Sequence, residues 1–397
     1  MKAPGVPIRA SPERRLADEP GSSTGQTTQR SEFTMTDRIL IVTPSLSGGG
    51  AEKVAINLAN EWGRQGHEIH LTSIRDISDY SHLLSSDVGY SCLGAPRVRY
   101  SIPALTRHIR RIRPKRILSV IRDSNIILGL SRPDLKRTSI VYREANTLHG
   151  VDNKNSFYKR FYLASMRYFY RRVNAVVANS QDTLADLQGR GVDNPNATVI
   201  PNPVLPANYD WLMQEDADHP WFSDASVEVI LSAGRLHQQK DYPTLLRAFA
   251  RVVQERPSAR LIILGQGPEE QALKQLRSEL QLDEVVSFYG FASNPWPFYR
   301  QAQVFALSSQ WEGFGNVIVE ALAAGTTVVT TDCPGGPRTI TRDGDFGYLT
   351  RCQDPDHLAE NLRRALDSPH DPRALQERAH DFSTATIANR YLAMFDA

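Results

Sequence analysis

Long apolar runs are absent from this sequence of 397 residues. No stretch reaches the roughly eighteen apolar residues that a membrane-spanning helix requires, so we expect a protein that does not cross a bilayer. The first 34 residues are rich in Ser, Thr, Pro, Arg and Gln and contain no apolar core of the kind found in secretory signals. We interpret residues 1–34 as a disordered extension, or as the product of a start codon placed upstream of Met35, and expect a cytoplasmic protein.

Cysteine is scarce as well. Cys92, Cys333 and Cys352 stand at unrelated spacings, which fit neither a disulfide framework nor a zinc site. We therefore predict a reducing compartment and no metal site. The G-x-G-x-x-G signature is missing after the first predicted strand, which argues against a dinucleotide-dependent oxidoreductase.

Charge divides along the chain, although the formal net charge is only +2. Residues 35–205 hold 24 Lys and Arg against 14 Asp and Glu, whereas residues 206–397 hold 17 against 26. A basic half and an acidic half indicate that the two halves face different partners.

Alternating strand and helix patterns run through both halves. The first half contains apolar, β-branched strands at 38–46, 67–74, 116–121, 138–143, 174–180 and 197–200. The proline-rich segment 201–206 then forms a stiff linker, and the alternation restarts with strands near 227–234, 259–265, 285–290, 304–309 and 326–331. This pattern predicts an α/β protein with two Rossmann-like, doubly wound domains, at 35–205 and 206–375, facing each other across a deep cleft. We expect residues 376–397 to form a C-terminal helix that packs back on the first domain.

Glycines and cations cluster where strands give way to helices. Gly49 and Gly50 follow the first strand, where glycine lets backbone approach a phosphate, although a plain turn explains them equally well. Arg235 and Lys240 follow the first strand of the second half, and Gly265 follows the next. An Arg can grip two oxygens of a diphosphate and a Lys adds a mobile charge, whereas the simpler explanation is a solvated basic loop.

The segment E-G-F-G-N-V-I-V-E-A, residues 312–321, combines two acids with a helix start. Glu312 lies in a loop after the strand 304–309, and Glu320 lies about one turn into the following helix, so both side chains can face a ligand at the helix end. Carboxylates accept hydrogen bonds from vicinal hydroxyls, and helix N–H groups bind phosphate. A ligand that offers both groups is a nucleotide-sugar.

These motifs together resemble the retaining glycosyltransferases of family 4, or group 1, which have the GT-B fold. The resemblance spans residue 38 to the C-terminus and is carried by S-L-S-G-G-G-A-E-K-V, V-I-P-N-P-V, G-R-L-H-Q-Q-K-D, G-Q-G-P, E-G-F-G-N-V-I-V-E-A and T-D-C-P-G-G-P. It implies a UDP-sugar donor as co-substrate, no other cofactor, and a saccharide or lipid-linked acceptor in cell-surface polysaccharide biosynthesis.

The resemblance also implies roles for individual residues. Glu320 binds the ribose, Glu312 binds the donor sugar, and Arg235 and Lys240 neutralise the leaving diphosphate without a metal. Backbone groups of the first-domain and second-domain glycine segments contact sugar and phosphate, namely Gly49, Gly50, Gly265, Gly313, Phe314, Gly315, Asn316 and Val317.

One departure from the family pattern concerns a His that many relatives carry after a central strand of the first domain. Here that strand runs into V-Y-R-E-A-N-T-L-H-G, so Arg143, Glu144, Asn146 and His149 all remain candidates for contact with the reacting sugar. A surface position explains His149 equally well.

Two basic segments, 97–116 and 154–172, are interleaved with aromatic residues. Such segments favour contact with an anionic membrane surface, although a solvated basic face over a core explains the pattern too. No nucleic-acid-binding motif accompanies them, so we predict no nucleic-acid partner. Two alternative functions remain at this point: a nucleotide-sugar 2-epimerase on a GT-B scaffold, and a non-catalytic subunit that binds nucleotide-sugars.

Overall fold

The computed structural model describes residues 38–47, 49–77, 80–131, 137–147 and 156–397. These residues form two parallel sheets, each with apolar clusters on both faces. The predicted α/β class with two Rossmann-like domains is therefore confirmed.

The first sheet has the strand order β3-β2-β1-β4-β5-β6-β7. Its strands are β1 (Ile39–Thr43), β2 (Ile69–Ser73), β3 (Gly89–Cys92), β4 (Arg116–Ser119), β5 (Ser139–Glu144), β6 (Ala175–Ala178) and β7 (Ala197–Val199). All of them were predicted except β3, an edge strand that lacks any fully buried residue and so has no apolar run to reveal it.

Helices cover both faces of this sheet. They are α1 (Gly50–Arg64), α2 (Ile102–Ile112), α3 (Arg122–Leu130), α4 (Ser156–Tyr170) and α5 (Gln181–Gly189). Side chains of β1 alternate between two cores, with Ile39 and Ile41 packing on the α1 side and Leu40 and Val42 on the side of α2, α3 and α4. No helix in the described part of the chain is both long and apolar enough to cross a membrane.

The second sheet has the strand order β10-β9-β8-β11-β12-β13. Its strands are β8 (Glu228–Ala233), β9 (Ala259–Leu264), β10 (Val286–Gly290), β11 (Val304–Leu307), β12 (Thr327–Thr331) and β13 (Tyr348–Thr350). The accompanying helices are α6 (Tyr209–Leu212), α7 (Tyr242–Glu255), α8 (Glu270–Glu279), α9 (Trp296–Gln301), α10 (Asn316–Ala323), α11 (Pro337–Ile340), α12 (Pro355–Asp367) and α13 (Pro372–His380). The sequence did not predict β13, which has only three residues.

The last helix, α14 (Thr384–Ala393), lies on the first domain. The indole Nε1 of Trp62 in α1 donates a hydrogen bond to the carbonyl of Ala388 at 3.2 Å, and its ring packs edge-on against Phe395. The expected domain boundary at residue 375 falls inside α13, because Leu375 and Ala379 of that helix pack in the core of the second domain. The chain returns to the first domain only after Phe382.

Candidate active site

A cleft of about 580 Å³ lies between the two domains, at the carboxyl ends of their central strands. Ligands of doubly wound sheets bind at this edge, because the loops and helix starts that follow each strand converge there. The first domain contributes residues that follow β1, β5 and β6, and the second contributes residues that follow β8, β9, β10 and β11. A ligand bound in the cleft would therefore contact both domains.

Two helix N-termini face this cleft. Helix α1 begins at Gly50 after the extended residue Gly49, and α10 begins at Asn316 after Gly315. Gly315 has φ = 96°, a left-handed conformation that glycine adopts without steric cost. The first N–H groups of a helix have no intrahelical partner and carry partial positive charge, so the two helix ends together suit an anionic group such as a diphosphate.

Lys240 places its ammonium group in the same cleft. Its Nζ lies 2.6 Å from Oε1 of Glu312, and both side chains are largely buried. The hydroxyl of Ser309 donates a second hydrogen bond to the same Glu312 oxygen, also at 2.6 Å. Lys240 and Ser309 together hold Glu312 in one orientation. Arg235 also lines the cleft, but its side chain is exposed.

Glu320 lies on the first turns of α10 and is held by Tyr299. The tyrosine hydroxyl donates a hydrogen bond to Oε2 of Glu320 at 2.8 Å. Burial, together with the neighbouring Glu320 carboxylate, raises the pKa of Tyr299 well above its usual value, so the phenol remains a proton donor. In the described part of the chain no side-chain hydrogen bond reaches the other carboxylate oxygen of Glu320, which leaves it available to ligand hydroxyls.

The four candidates for the first-domain contact with the sugar have different environments. Arg143 and Asn146 line the cleft. Glu144 instead accepts hydrogen bonds from Arg122, Asn125 and Tyr170 in a buried cluster behind the cleft wall. His149 lies outside the described residues.

Glu52, on the first turn of α1, adds a carboxylate behind the glycine turn. Burial raises the pKa of Glu52, and the Ser47 hydroxyl and the charges of Arg143 and Arg235 offset part of this increase. The Glu52 carboxylate lies beside Gly49, where an added Cβ atom would meet it.

The structure places all the site residues proposed from the sequence along one cleft. They are Gly49, Gly50, Arg235, Lys240, Gly265, Glu312, Gly313, Phe314, Gly315, Asn316, Val317 and Glu320. Their roles toward a ligand remain predictions. Among the described residues no group of three or more His, Cys, Asp or Glu side chains is arranged to hold a metal ion.

Several residues to which the sequence assigned no role also line the cleft. Tyr299, Asn179, Asn202 and Phe291 line the cleft, and Phe291 exposes an aromatic ring at its rim. Asn202 lies in the proline-rich linker, whose motif V-I-P-N-P-V contributed to the family resemblance, although no role was assigned to Asn202 itself. Its position between two prolines was a usable signal, because a polar side chain in a stiff segment at a domain junction is well placed to bridge the two domains.

Comparison with known protein families covers both domains. Residues 48–207 match the family described as Glycosyltransferase Family 4, and residues 214–382 match the family described as Glycosyl transferases group 1. The chain belongs to these glycosyltransferases. The first match contains the glycine turn at Gly49 and Gly50, and the second contains Lys240, Glu312 and Glu320.

Curated relatives of this glycosyltransferase carry related names. An N-acetylgalactosamine-N,N'-diacetylbacillosaminyl-diphospho-undecaprenol 4-alpha-N-acetylgalactosaminyltransferase from Campylobacter jejuni is 26% identical over 84% of this chain and 92% of its own length. The lipopolysaccharide core biosynthesis glycosyltransferase LpsD from Rhizobium meliloti is 32% identical over 57% of this chain and 65% of its own length.

A solved structure identifies the fold of the glycosyltransferase. HepE from Anabaena, crystallised in complex with UDP and glucose, superimposes with a TM-score of 0.75 at 19% sequence identity and covers 91% of this chain and 99% of its own. This similarity shows the GT-B fold that the sequence motifs implied.

Proposed function

We propose that this glycosyltransferase moves a sugar from a UDP-sugar to a saccharide or lipid-linked acceptor, with retention of configuration, in cell-surface polysaccharide biosynthesis. The observation that carries the proposal is the convergence of Glu312, Glu320, Lys240 and two helix N-termini on one cleft. Such a cleft offers carboxylates for hydroxyl groups and positive charge for a diphosphate. The UDP bound to HepE and the lipid-diphosphate acceptor in the name of the Campylobacter relative support the choice of donor and acceptor.

Each group has a role in this proposal. The free carboxylate oxygen of Glu320 accepts hydrogen bonds from the ribose, and Glu312, held by Lys240 and Ser309, accepts from the hydroxyls of the donor sugar. Lys240, Arg235 and the N–H groups near Gly50 and Asn316 stabilise the diphosphate. These groups, rather than a metal or a cofactor, neutralise the charge of the leaving group, and we therefore expect activity to survive treatment with EDTA.

The bond that breaks joins the anomeric carbon to the β-phosphate oxygen, and charge develops on the diphosphate as it does so. Preorganised cations and N–H groups stabilise this extra charge in the transition state more than they stabilise the intact UDP-sugar. The activation barrier is thereby lowered. The acceptor hydroxyl attacks from the face that the diphosphate leaves. Its proton passes to the departing phosphate oxygen, so no protein nucleophile is required.

The first experiment incubates the purified protein with a panel of UDP- and GDP-sugars, with and without a membrane lipid extract. We expect one UDP-sugar to release UDP at a rate that rises with the extract, and a glycosylated lipid with the donor's anomeric configuration. Release confined to a GDP-sugar would refute the choice of base. Conversion of the donor to its 2-epimer without an acceptor would favour the isomerase, and donor binding without any turnover would favour a non-catalytic subunit.

Two variants test the assignment of the donor site. Glu320→Ala and Lys240→Ala each remove a group from the cleft, and we expect each to lower donor turnover by roughly two orders of magnitude. Turnover within a few-fold of the parent enzyme for both would contradict the assignment. Far-UV circular dichroism separates these losses from misfolding, because removing one partner of the Lys240–Glu312 pair also destabilises the fold.

The acceptor side of the proposal includes contact with an anionic membrane. Helices α2, α3 and α4 lie on one face of the first sheet and pack into it through Leu105, Ile127 and Met166. Their outer surface, together with the turn just before α2, exposes arginines and aromatic rings, including Arg107, Arg110, Arg160, Tyr100, Phe161 and Tyr168. Arginines bind anionic headgroups and aromatic rings enter the interface, so this surface suits a bilayer that presents a lipid-linked acceptor.

Vesicle sedimentation tests this contact. Replacing Arg107, Arg110 and Arg160 together by Ser should weaken sedimentation with phosphatidylglycerol vesicles by at least tenfold, at roughly 1 kcal/mol per removed charge. The matched control replaces three exposed arginines of the second domain, Arg247, Arg300 and Arg373, by Ser. Equal sedimentation of both variants would remove the membrane proposal and leave the donor site untouched.

A further inference from the structure

Arg143 is a fully buried cation at the wall of the cleft. Its Nη1 donates to the carbonyl of Val120 at 3.2 Å, and its Nη2 donates to Oδ1 of Asn202 at 2.6 Å. No carboxylate in the described part of the chain forms an ion pair with it, and its Nε has no hydrogen-bond partner there. Its two hydrogen bonds go to neutral groups, and the Glu52 carboxylate acts on its charge without forming an ion pair with it. Burying a cation in this way is costly, which indicates that it serves a purpose other than stability.

Asn202 connects this arginine to the second domain. The side chain is buried in the linker, and Nδ2 donates to Oδ1 of Asn316 at 2.8 Å. Asn316 is the first residue of α10, and its Nδ2 lies beside Gly50 at the start of α1. A chain of two hydrogen bonds therefore runs from the first-domain wall to the point where both helix N-termini meet.

Arg143 sets the direction of these two hydrogen bonds. A guanidinium has only donors, so the atom of Asn202 that faces Arg143 must be the amide oxygen. The Asn202 amide nitrogen then faces Asn316, and the atom of Asn316 that accepts from it must also be the oxygen. The remaining group of Asn316, its NH₂, is left to donate toward the glycine turn and the cleft.

We propose that Arg143 and Asn202 are positioning residues, which hold the Asn316 amide so that its NH₂ donates to the diphosphate of the donor. The inference rests on the proposed function, because it requires a nucleoside diphosphate at the two helix ends. In this proposal Arg143, a residue of the first domain, sets the orientation of the Asn316 side-chain amide in the second domain. A first-domain side chain thereby contributes to recognition of the phosphates by the second domain.

Asn202→Asp reverses the orientation of the Asn316 amide and gives the sharpest test. A carboxylate at position 202 still accepts from Arg143, but it also accepts from Asn316, so the Asn316 NH₂ turns toward it and the oxygen faces the phosphates. Asn202→Ala only releases the Asn316 amide. The control is Asn57→Ala, because Asn57 donates to the carbonyl of the neighbouring linker residue Pro203 at 2.8 Å and takes no part in the chain.

The measurement is the dissociation constant of UDP and of uridine for the full-length protein and each variant, by calorimetry or by competition. We expect Asn202→Asp to weaken UDP binding by roughly 10- to 100-fold and Asn202→Ala by less, with uridine binding unchanged in both. Asn57→Ala should bind both ligands like the parent protein. In the Asn316→Ala background, Asn202→Asp should cause no further loss, because the amide that it reverses is gone.

Equal losses of UDP and uridine affinity would indicate a merely structural role and overturn the inference. UDP binding by Asn202→Asp at the strength of the parent protein would overturn it as well. Either result leaves the proposed function in place, since the parent protein still binds UDP. A parent protein that binds no nucleoside diphosphate would overturn both proposals. Should Asn202→Ala fail to fold, Asn202→Asp preserves the acceptor for Arg143 and carries the test.

Discussion

Tyr299 shows how a residue without any sequence signature supports the candidate site. Its side chain is fully buried in the core of the second domain beside the cleft, and its hydroxyl donates to Glu320. Without this donor, one oxygen of a buried carboxylate has no protein partner and the side chain is free to rotate. The orientation of Glu320 toward a ribose therefore depends on a phenol 21 residues earlier in the chain.

We predict that Tyr299→Phe raises the KM for the donor by roughly three- to tenfold and leaves kcat within about twofold, because the lost hydrogen bond acts on binding of the ribose. Steady-state kinetics with the donor identified by the panel provide the measurement. Tyr348→Phe is the control, since the Tyr348 hydroxyl bonds to the carbonyl of Ser368 on an exposed surface. A KM equal to that of the parent enzyme would show that Tyr299 does not orient Glu320.

Helix α2 contacts the first sheet through a buried histidine, His108. Its Nε2 lies 2.9 Å from the hydroxyl of Thr72 on β2, and its Nδ1 lies 3.3 Å from Nη2 of Arg111. Because the arginine can only donate, Nδ1 is an acceptor and Nε2 carries the proton. Burial, His70 and Arg111 together lower the pKa of His108 from 6.5 to about 4, so the ring is neutral in the folded protein.

This lowered pKa predicts a loss of stability in acid. The unfolded chain binds a proton at His108 near pH 6.5, whereas the folded chain does so only near pH 4, so protons favour the unfolded state between these values. The stabilisation is complete above pH 6.5 and is lost as the pH falls toward 4. In His108→Gln, where the amide can still donate to Thr72, we expect Tm to fall less steeply over this range. Parallel Tm curves for the two proteins would contradict the assignment.

Backbone of the second domain packs closely against the first domain beside the cleft. Gly313 of the second domain packs so closely against Ala145 and Asn146 of the first that a Cβ atom would collide with the Ala145 carbonyl and the Asn146 amide. A second contact joins the backbone N–H of Gly335 to Oδ2 of Asp182, at 2.7 Å. The separation of the domains at this point is thus set by a residue without a side chain.

Gly313→Ala should push the domains apart and leave each core intact. We expect kcat/KM to fall by roughly 10- to 100-fold, since small displacements of catalytic groups have effects of this size, while Tm changes little. Gly189→Ala is the matched control, because the space around Gly189 is open and alanine favours the helix. Unchanged kcat/KM in Gly313→Ala would indicate that the cleft tolerates a wider opening.

Much of the architecture was readable along the chain. The apolar, β-branched runs predicted eleven of the strands, because a buried parallel strand has a continuous apolar pattern that no long-range contact needs to supply. The short strands β3 and β13 were not predicted, since each is defined by pairing with a neighbouring strand rather than by an apolar pattern of its own. The glycines, cations and carboxylates of the cleft were predicted for the same local reason, as they follow strand ends.

The sequence by itself determined the class of fold, the two domains and the cleft residues that belong to motifs, because these depend on local periodicity and on short spacings. Only the tertiary structure decided which partners orient those residues. Arg143, Asn202 and Asn316 are separated by 59 and 114 residues along the chain, and Tyr299 and Glu320 lie on different helices. Hydrogen bonds between such residues form only when packing of the two sheets and the linker brings them together, and no local pattern records that outcome.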